Sequence, residues 1–346
     1  MESGVFHRPS GRSVWTAKDL ASSNDWLFQL PETALREIND SVSRLKARGA
    51  KLENIGAADF PLHSLDNRIK ALKDEIATGR GFAIIRGLEA ARYSTDDLRM
   101  IFWGIGSHFG TPMPQSFLGD RIGDVMDFSD VETDPRKRRG YHSGGAQDTH
   151  TDSSDIVAML SIRTAKSGGE SRLTSAHAVH NLMMDTCPGL LKVLYDGFFI
   201  RGTDTDAAAE GRPALSAHRV PAYKYTDGWL NSFYVRGYVE RAVKAGDVRL
   251  TPEEEAAVVA FSAFGNHPDV MLNLLLEPGD MQIFNNRTIL HGRAHFEDHP
   301  ERERRRHLLR LWLSVPEWPR MSRDQDLHSD EVKLRWAEAA RRKHDA

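Results

Sequence analysis

From Ile156 to Val315 the chain alternates short apolar runs with turn-forming residues. The runs are "IVAMLSI", "RLTSA", "GFFIRG", "WLNSFYV", "NLLLEPGDMQIFNN" and "HLLRLWLSV", punctuated by "SGGES" and by the turn at Pro278, Gly279 and Asp280. Many short strands with few regular strand–helix–strand units favour an antiparallel barrel or jelly roll over a doubly wound parallel sheet. Two helical inserts interrupt the series, near 176 to 196 and near 252 to 264. Thr251, Pro252 and Glu254 give the second an N-terminal capping set.

Upstream, "GFAIIRGL" (81 to 88) is β-rich and bounded by glycines, and the following "YSTDDLRMIFWGIGSHFG" offers Ser94 as N-cap to a periodic apolar face. That reads as strand, then helix. Residues 31 to 48 carry Ala34, Leu35, Ile38, Val42 and Leu45 at helical spacing after a Pro start. The polar stretch from Asp127 to Gln147 reads as a long loop, and long loops in compact domains are often functional. The expected organisation is one domain over 1–346: a helical N-terminal section at 1–80, a core of strands with helical inserts and lid loops at 81–316, and a charged C-terminal helix at 317–346.

With 346 residues the chain can bury a large core. Its 46 basic and 49 acidic residues leave a formal charge of −3, so no net field draws nucleic acid or an anionic membrane. A small-molecule partner is the expectation. Cys187 is the single cysteine, which excludes an intramolecular disulfide or a multi-cysteine metal site and fits a reducing cytosol. Neither a signal-like h-region nor an apolar run of about 18 residues occurs, so a cytoplasmic protein is expected.

The stretch "QDTHTDSSD" places His150 and Asp152 two apart, just before an apolar run. On a strand, residues i and i+2 share a face, so imidazole and carboxylate would converge. His-X-Asp arises by chance in many chains, and two ligands hold a metal weakly. His291, in "EPGDMQIFNNRTILHGR", supplies a third. Two imidazoles and one carboxylate, with the remaining positions open, are the facial arrangement of non-haem Fe(II) oxygenases. A bidentate keto acid could take two open positions, and its distal carboxylate would need a guanidinium fork. The run "RERRRHLLRLWLS" offers Arg306 and Arg310, four apart, on one strand face with Leu308 between them. Arg302 and Arg304 read as a solvated patch.

The ordered blocks "GFAIIRGL", "HFGTPMPQ", "HTDSSD", "GGES", "NNRTILHGR" and "RRHLLRLWL", from about Gly81 to Leu313, resemble the taurine dioxygenase (TauD/TfdA) family of Fe(II)/2-oxoglutarate-dependent oxygenases. The "NNRTILHGR" block is also similar to the γ-butyrobetaine and trimethyllysine hydroxylases of that superfamily. The resemblance implies a double-stranded β-helix core. It implies Fe(II), 2-oxoglutarate and O2 as cofactor and cosubstrates, with His150, Asp152 and His291 as iron ligands. Arg306 falls where the family's arginine grips the 2-oxoglutarate C5 carboxylate, and Ser171 falls where a Thr hydroxyl assists. Arg310 matches a substrate-facing arginine of the sulfonate-binding members. The longer spacing from His291 leaves open which of Arg306 and Arg310 holds the cosubstrate. The implied reaction hydroxylates an unactivated C–H bond of an amino acid-like molecule or natural-product intermediate, releasing succinate and CO2. A retained Asp152 argues against halogenation, and desaturation or ring formation stay open. Met113 and Ala146 stand where taurine-type enzymes place a His and an Asn on the sulfonate, so a substrate other than taurine is expected. Members are commonly dimers or tetramers, which implies a homo-oligomer.

Other polar residues have plainer readings. His291, His295 and His299 have i, i+4 spacing but sit among Gly and Pro after a strand, a poor helical zinc site. His177 and His180 read as packing or capping in a helix. Tyr141 and His142 are candidates for the substrate mouth, Arg287 and Arg293 for support of the metal site or a substrate carboxylate. Tyr223, Trp229 and Tyr234 are candidates for aromatic walls, and 201 to 221 reads as a lid. Two rivals remain at this level: a jelly-roll metal-binding or sensing protein without catalysis, and a zinc hydrolase using the same three ligands.

Overall fold

The computed structural model describes residues 6–128, 144–204, 207–208 and 211–344. Along the chain, helix α1 (Ala17–Leu20), strand β1 (Leu27–Gln29), α2 (Glu32–Ala47) and α3 (Asp66–Ala77) precede β2 (Phe82–Arg86), α4 (Thr95–Gly106), β3 (Thr111–Met113) and β4 (Ile122–Val125). Then come β5 (Gln147–His150), β6 (Ile156–Arg163), β7 (Ser167–Gly168), β8 (Ser171–Ser175), α5 (Ala176–Thr186) and α6 (Pro188–Asp196). The chain continues through β9 (Tyr223–Thr226), β10 (Trp229–Ser232), α7 (Arg236–Lys244) and α8 (Pro252–Gly265). It finishes with β11 (Leu272–Leu274), β12 (Met281–Asn285), β13 (Ile289–Arg293), β14 (Phe296–Glu297), β15 (His307–Ser314) and α9 (Asp330–His344).

The larger sheet runs β1-β2-β12-β6-β15-β3, with β4 also paired to β15; the smaller runs β11-β8-β13-β5. Every pairing is antiparallel except β1 with β2. This is the jelly-roll core, and its strand order follows from burial that alternates with the strand period of two. Along β15, Leu309, Leu311 and Leu313 join the cluster under α2 to α4, while Leu308 and Trp312 belong to clusters on the other face. Strand β12 divides the same way: Met281 and Ile283 pack toward the helices, and Phe284 packs inward. Each fully buried Leu, Ile or Phe contributes about 1.5–3 kcal/mol, so these alternations hold register tightly. A second apolar layer, with Val179, Leu194, Tyr223 and Phe261, packs α5, α6 and α8 around Leu290 of the smaller sheet. The sandwich is thus buttressed on both outer faces.

Helix starts follow the residues that the sequence marked. Ser94 Oγ accepts from Asp97 N at 3.1 Å, and Thr251 Oγ1 accepts from Glu254 N at 3.2 Å. Two features differ from the sequence reading. The section before Gly81 is not purely helical, because β1 extends the larger sheet beside β2. Strand β5 ends at His150, so Asp152 lies in the connection to β6 and strand alternation does not orient it. Among the described residues no helix is long and apolar enough to cross a membrane.

Candidate active site

His150 ends β5 and His291 sits in β13, paired directly in register, so the two imidazoles lie with ring centroids 4.4 Å apart. Asp152 reaches the same point from the β5–β6 connection, with Oδ2 3.6 Å from His291 Nε2. Donor atoms from all three lie within 4.8 Å of one another, the one such cluster among the described residues.

Long-range hydrogen bonds pin the connection that carries Asp152. Asn286 Oδ1 accepts from Asp152 N at 2.8 Å, and its amide donates to the carbonyls of Asp152 (2.6 Å) and Ser154 (2.8 Å). Thr151 exchanges hydrogen bonds with the Tyr234 backbone on both sides. The carboxylate itself receives Trp312 Nε1–H at 2.9 Å and Arg310 Nη1–H at 3.1 Å.

Electrostatics leave the cluster in its metal-ready protonation state. Burial raises the Asp152 pKa, but Arg310, the two imidazoles and Trp312 outweigh burial and hold it down to about 2. Burial first, then His150, drives His291 down to about 3, so it is neutral near pH 7. His150 faces the Asp148 carbonyl through Nδ1 at 2.9 Å, which turns Nε2 toward the cluster. An ionised Asp152 carboxylate, a neutral His291 and the His150 imidazole are a donor set that fits a divalent iron.

The cluster opens into a cavity of about 370 Å³ between the two sheets. Arg293, Arg306 and Arg310 line its inner part, with Asp152 as the single acidic lining residue among those described. Arg306 is 5% exposed, and among the described residues its Nη1 has no hydrogen-bond partner and its guanidinium no carboxylate within ion-pair reach. Burial and then the neighbouring Arg293 lower its pKa to about 9. Phe296 supports both cations, with Arg293 and Arg306 at 4.7 and 5.2 Å from its ring centroid. A buried guanidinium of this kind fits an incoming carboxylate. Ser171 lines the cavity and donates to Gln282 Oε1 at 2.7 Å. Arg310 is fixed by Gln115, which accepts from its Nε at 2.7 Å and donates back to its carbonyl at 2.7 Å.

All six residues singled out in the sequence (His150, Asp152, His291, Arg306, Ser171 and Arg310) line this one cavity. Thr203, Val235 and Tyr238 contribute from the 201 to 240 region. Arg293 lines it too, whereas Arg287 turns to Asp155 and the Pro319 carbonyl and serves the packing of the chain there. Tyr223, Trp229 and Tyr234 are not among its walls; Tyr223 is buried with its hydroxyl on the Ala176 carbonyl, and Trp229 packs on Trp318. The aromatic lining comes from Trp312, Tyr238 and Trp336 instead. His177 bonds Ser13 and the Leu230 carbonyl, and His180 bonds Tyr195, as packing residues do. Tyr141 and His142 lie outside the described residues. Gln115, Asn286, Gln282 and Trp312 were missed as supporting residues. Each sits inside a block that the sequence flagged, but as neutral side chains they carried no chemical signal.

Comparison with known proteins gives three findings. The family model described as taurine catabolism dioxygenase TauD, TfdA family matches residues 47–312. Among curated proteins, FR-33289 synthase of Streptomyces rubellomurinus is 26% identical over 90% of this chain and 92% of its own, and a taurine hydroxylase-like protein of Stachybotrys chartarum is 27% identical over 90% and 83%. Among solved structures, asparagine oxygenase in complex with Fe(II), hydroxyasparagine and succinate superposes with a TM-score of 0.64 at 13% identity, covering 84% of this chain and 93% of that one.

Proposed function

The chain belongs to the taurine catabolism dioxygenase TauD, TfdA family, and on that premise we propose that His150, Asp152 and His291 hold its iron, with Arg306 holding 2-oxoglutarate. It is an Fe(II)/2-oxoglutarate-dependent dioxygenase. When bound, iron with 2-oxoglutarate and O2 supplies an oxidation that ends in succinate, CO2 and a hydroxylated C–H bond.

The protein's own part is placement and protonation. Trp312 and Arg310 orient the Asp152 carboxylate, and burial keeps His291 neutral for ligation. The observation that carries the cosubstrate assignment is Arg306, a buried guanidinium without a carboxylate partner among the described residues, beside the donor cluster. Ser171 lines the same cavity, anchored through Gln282. Arg310, braced by Gln115, then goes to the prime substrate in this reading. A zinc hydrolase or a non-catalytic sensor has no use for a buried guanidinium that lacks an ion-pair partner among the described residues.

The prime substrate is a small molecule with an acidic group that meets Arg310. Taurine itself is not proposed: Met113 is buried in β3 against Trp312, and Ala146 is exposed, so neither supplies a sulfonate contact.

Anaerobic titration of metal-free protein with Fe(II) and then 2-oxoglutarate tests the reading. A visible charge-transfer band is expected in the wild type. Asp152→Ala should abolish it along with substrate-coupled succinate release. Arg306→Ala should weaken 2-oxoglutarate binding by about 2–5 kcal/mol, the cost of losing a buried charged contact. A wild type that forms no band and binds zinc tightly, or an Asp152→Ala variant with normal turnover, overturns it.

A further inference from the structure

Three arginines gather around α7, and only one of them lines the iron cavity. Arg201 is held by Asp204 and Asp247, and Arg236 by Glu240, with Asp148 3.8 Å away. Arg241, the one in the cavity lining, has no carboxylate partner among the described residues. Its Nη1 donates to the Arg201 carbonyl at 3.1 Å, and its guanidinium lies 5.2 Å from the centroid of the Tyr238 ring, which lines the same cavity.

The C-terminal segment lines the same cavity. His328 and Trp336 both line it, with ring centroids 5.1 Å apart. Trp336 is only 8% exposed, and its Nε1–H has no acceptor among the described residues. A buried donor in that state is costly unless a ligand oxygen satisfies it. The segment is firmly seated. Gln325, 1% exposed, donates to the carbonyls of Pro221 and Asn231, and Ser314 bonds Asp330. Helix α9 packs so closely on the turn at Gly119 that a Cβ there would meet Ala340 at 3.1 Å. The C-terminal residues that make these contacts lie beyond residue 312, where the family match ends.

Charge makes the need explicit. Under the reading above, Arg306 meets the cosubstrate and Arg310 one acidic group of the substrate. Arg293 has Asp127 and Asp298 in electrostatic reach. Arg241 has no carboxylate within ion-pair reach among the described residues. We propose that α7 and the C-terminal segment build a second anion subsite in the cavity, centred on Arg241 with Tyr238 and Trp336, and that the substrate carries an acidic group at each end. The proposal rests on the iron and 2-oxoglutarate assignment and deepens it from a small acidic molecule to a doubly acidic one. Of the subsite's three residues, Trp336 alone lies outside the family match.

The test uses anaerobic Fe(II) protein saturated with 2-oxoglutarate, so that added dianions do not compete at Arg306. Its probes are ω-phosphonocarboxylates with two to five methylenes and the matched alkylphosphonates, followed by their perturbation of the charge-transfer band. The wild type is expected to prefer the doubly acidic probe of one chain length by roughly tenfold or more. Arg241→Gln should erase that preference, leave the matched alkylphosphonate binding as in wild type and leave the band itself intact. Arg241→Lys should keep part of the preference. Trp336→Phe, which keeps the packing, should weaken only the doubly acidic probe, by a few-fold. Equal binding of the paired probes at every length, a preference that survives in Arg241→Gln, or no binding of any probe up to about 10 mM overturns the subsite. If the band forms and the preference is missing, the subsite alone fails; if no band forms, the assignment beneath it fails first.

Discussion

At the scale of single residues, the cavity works by leaving charges unsatisfied on one side only. Arg306 approaches the turn at Gly168 and Gly169 so closely that a Cβ on Gly169 would stand 2.9 Å from its Nε, and Gly169 has φ +78°. Gly169→Ala therefore moves Arg306, the arginine proposed for 2-oxoglutarate, and strains the turn. The KM for 2-oxoglutarate is expected to rise about tenfold, the effect of roughly 1.4 kcal/mol, with kcat at saturation little changed. A KM change confined to the prime substrate would contradict this placement. His291 gives a second expectation, for the metal-free protein. Its folded pKa, near 3, lies below the ordinary imidazole value, so between those values the unfolded chain binds the extra proton and acid destabilises the fold. Buried His180, lowered to about 4, acts in the same window. Urea unfolding at pH 7 and pH 5 should show a loss that His291→Gln reduces by up to about 2 kcal/mol. An unchanged pH dependence in that variant would show that His291 is not buried neutral.

At the scale of elements, the site depends on a turn outside the proposed iron-binding trio. The β12–β13 connection carries Asn286, whose amide group makes three hydrogen bonds to the connection bearing Asp152. The two connections are 134 residues apart in sequence, so Asn286 converts sheet pairing into ligand placement. Asn286→Ala is expected to lower Fe(II) affinity by about 10- to 100-fold, the usual effect of losing a group that orients a metal ligand. The readout is metal titration, with thermal unfolding of the metal-free protein as the comparison. A variant that loses stability without losing metal affinity would make Asn286 a packing residue only. Strand β15 does comparable work on the larger sheet. Its alternation sends Leu309, Leu311 and Leu313 to the helices, and it presents Arg310 and Trp312 to the cavity. A one-residue slip would exchange those sets, and the apolar burial forbids it.

At the scale of the whole molecule, a chain with a net charge of −3 encloses a cavity lined by four arginines and one aspartate among the described residues. The field that a small anion meets is therefore that of the cavity, focused by its low-dielectric walls. Raising salt from about 0.05 to 0.5 M should raise the KM of an anionic substrate several-fold, since screening shortens the reach of such a field to a few ångströms. A salt-independent KM would argue for a neutral substrate. The amino-acid sequence by itself determined the strand-rich sandwich, because apolar alternation and turn residues are local and burial enforces them. It also determined the His150, Asp152, His291, Arg306, Ser171 and Arg310 set, because ordered blocks with those chemical types are legible one by one. The tertiary structure alone decided that Arg293 faces the cavity and Arg287 does not, and that Asn286, Gln282 and Gln115 brace the functional groups. It alone brought Trp336 of the tail into the lining of the cavity that holds His150. Those outcomes rest on contacts such as Trp312 to Asp152, 160 residues apart, which no local periodicity encodes and which only cooperative packing of distant segments selects.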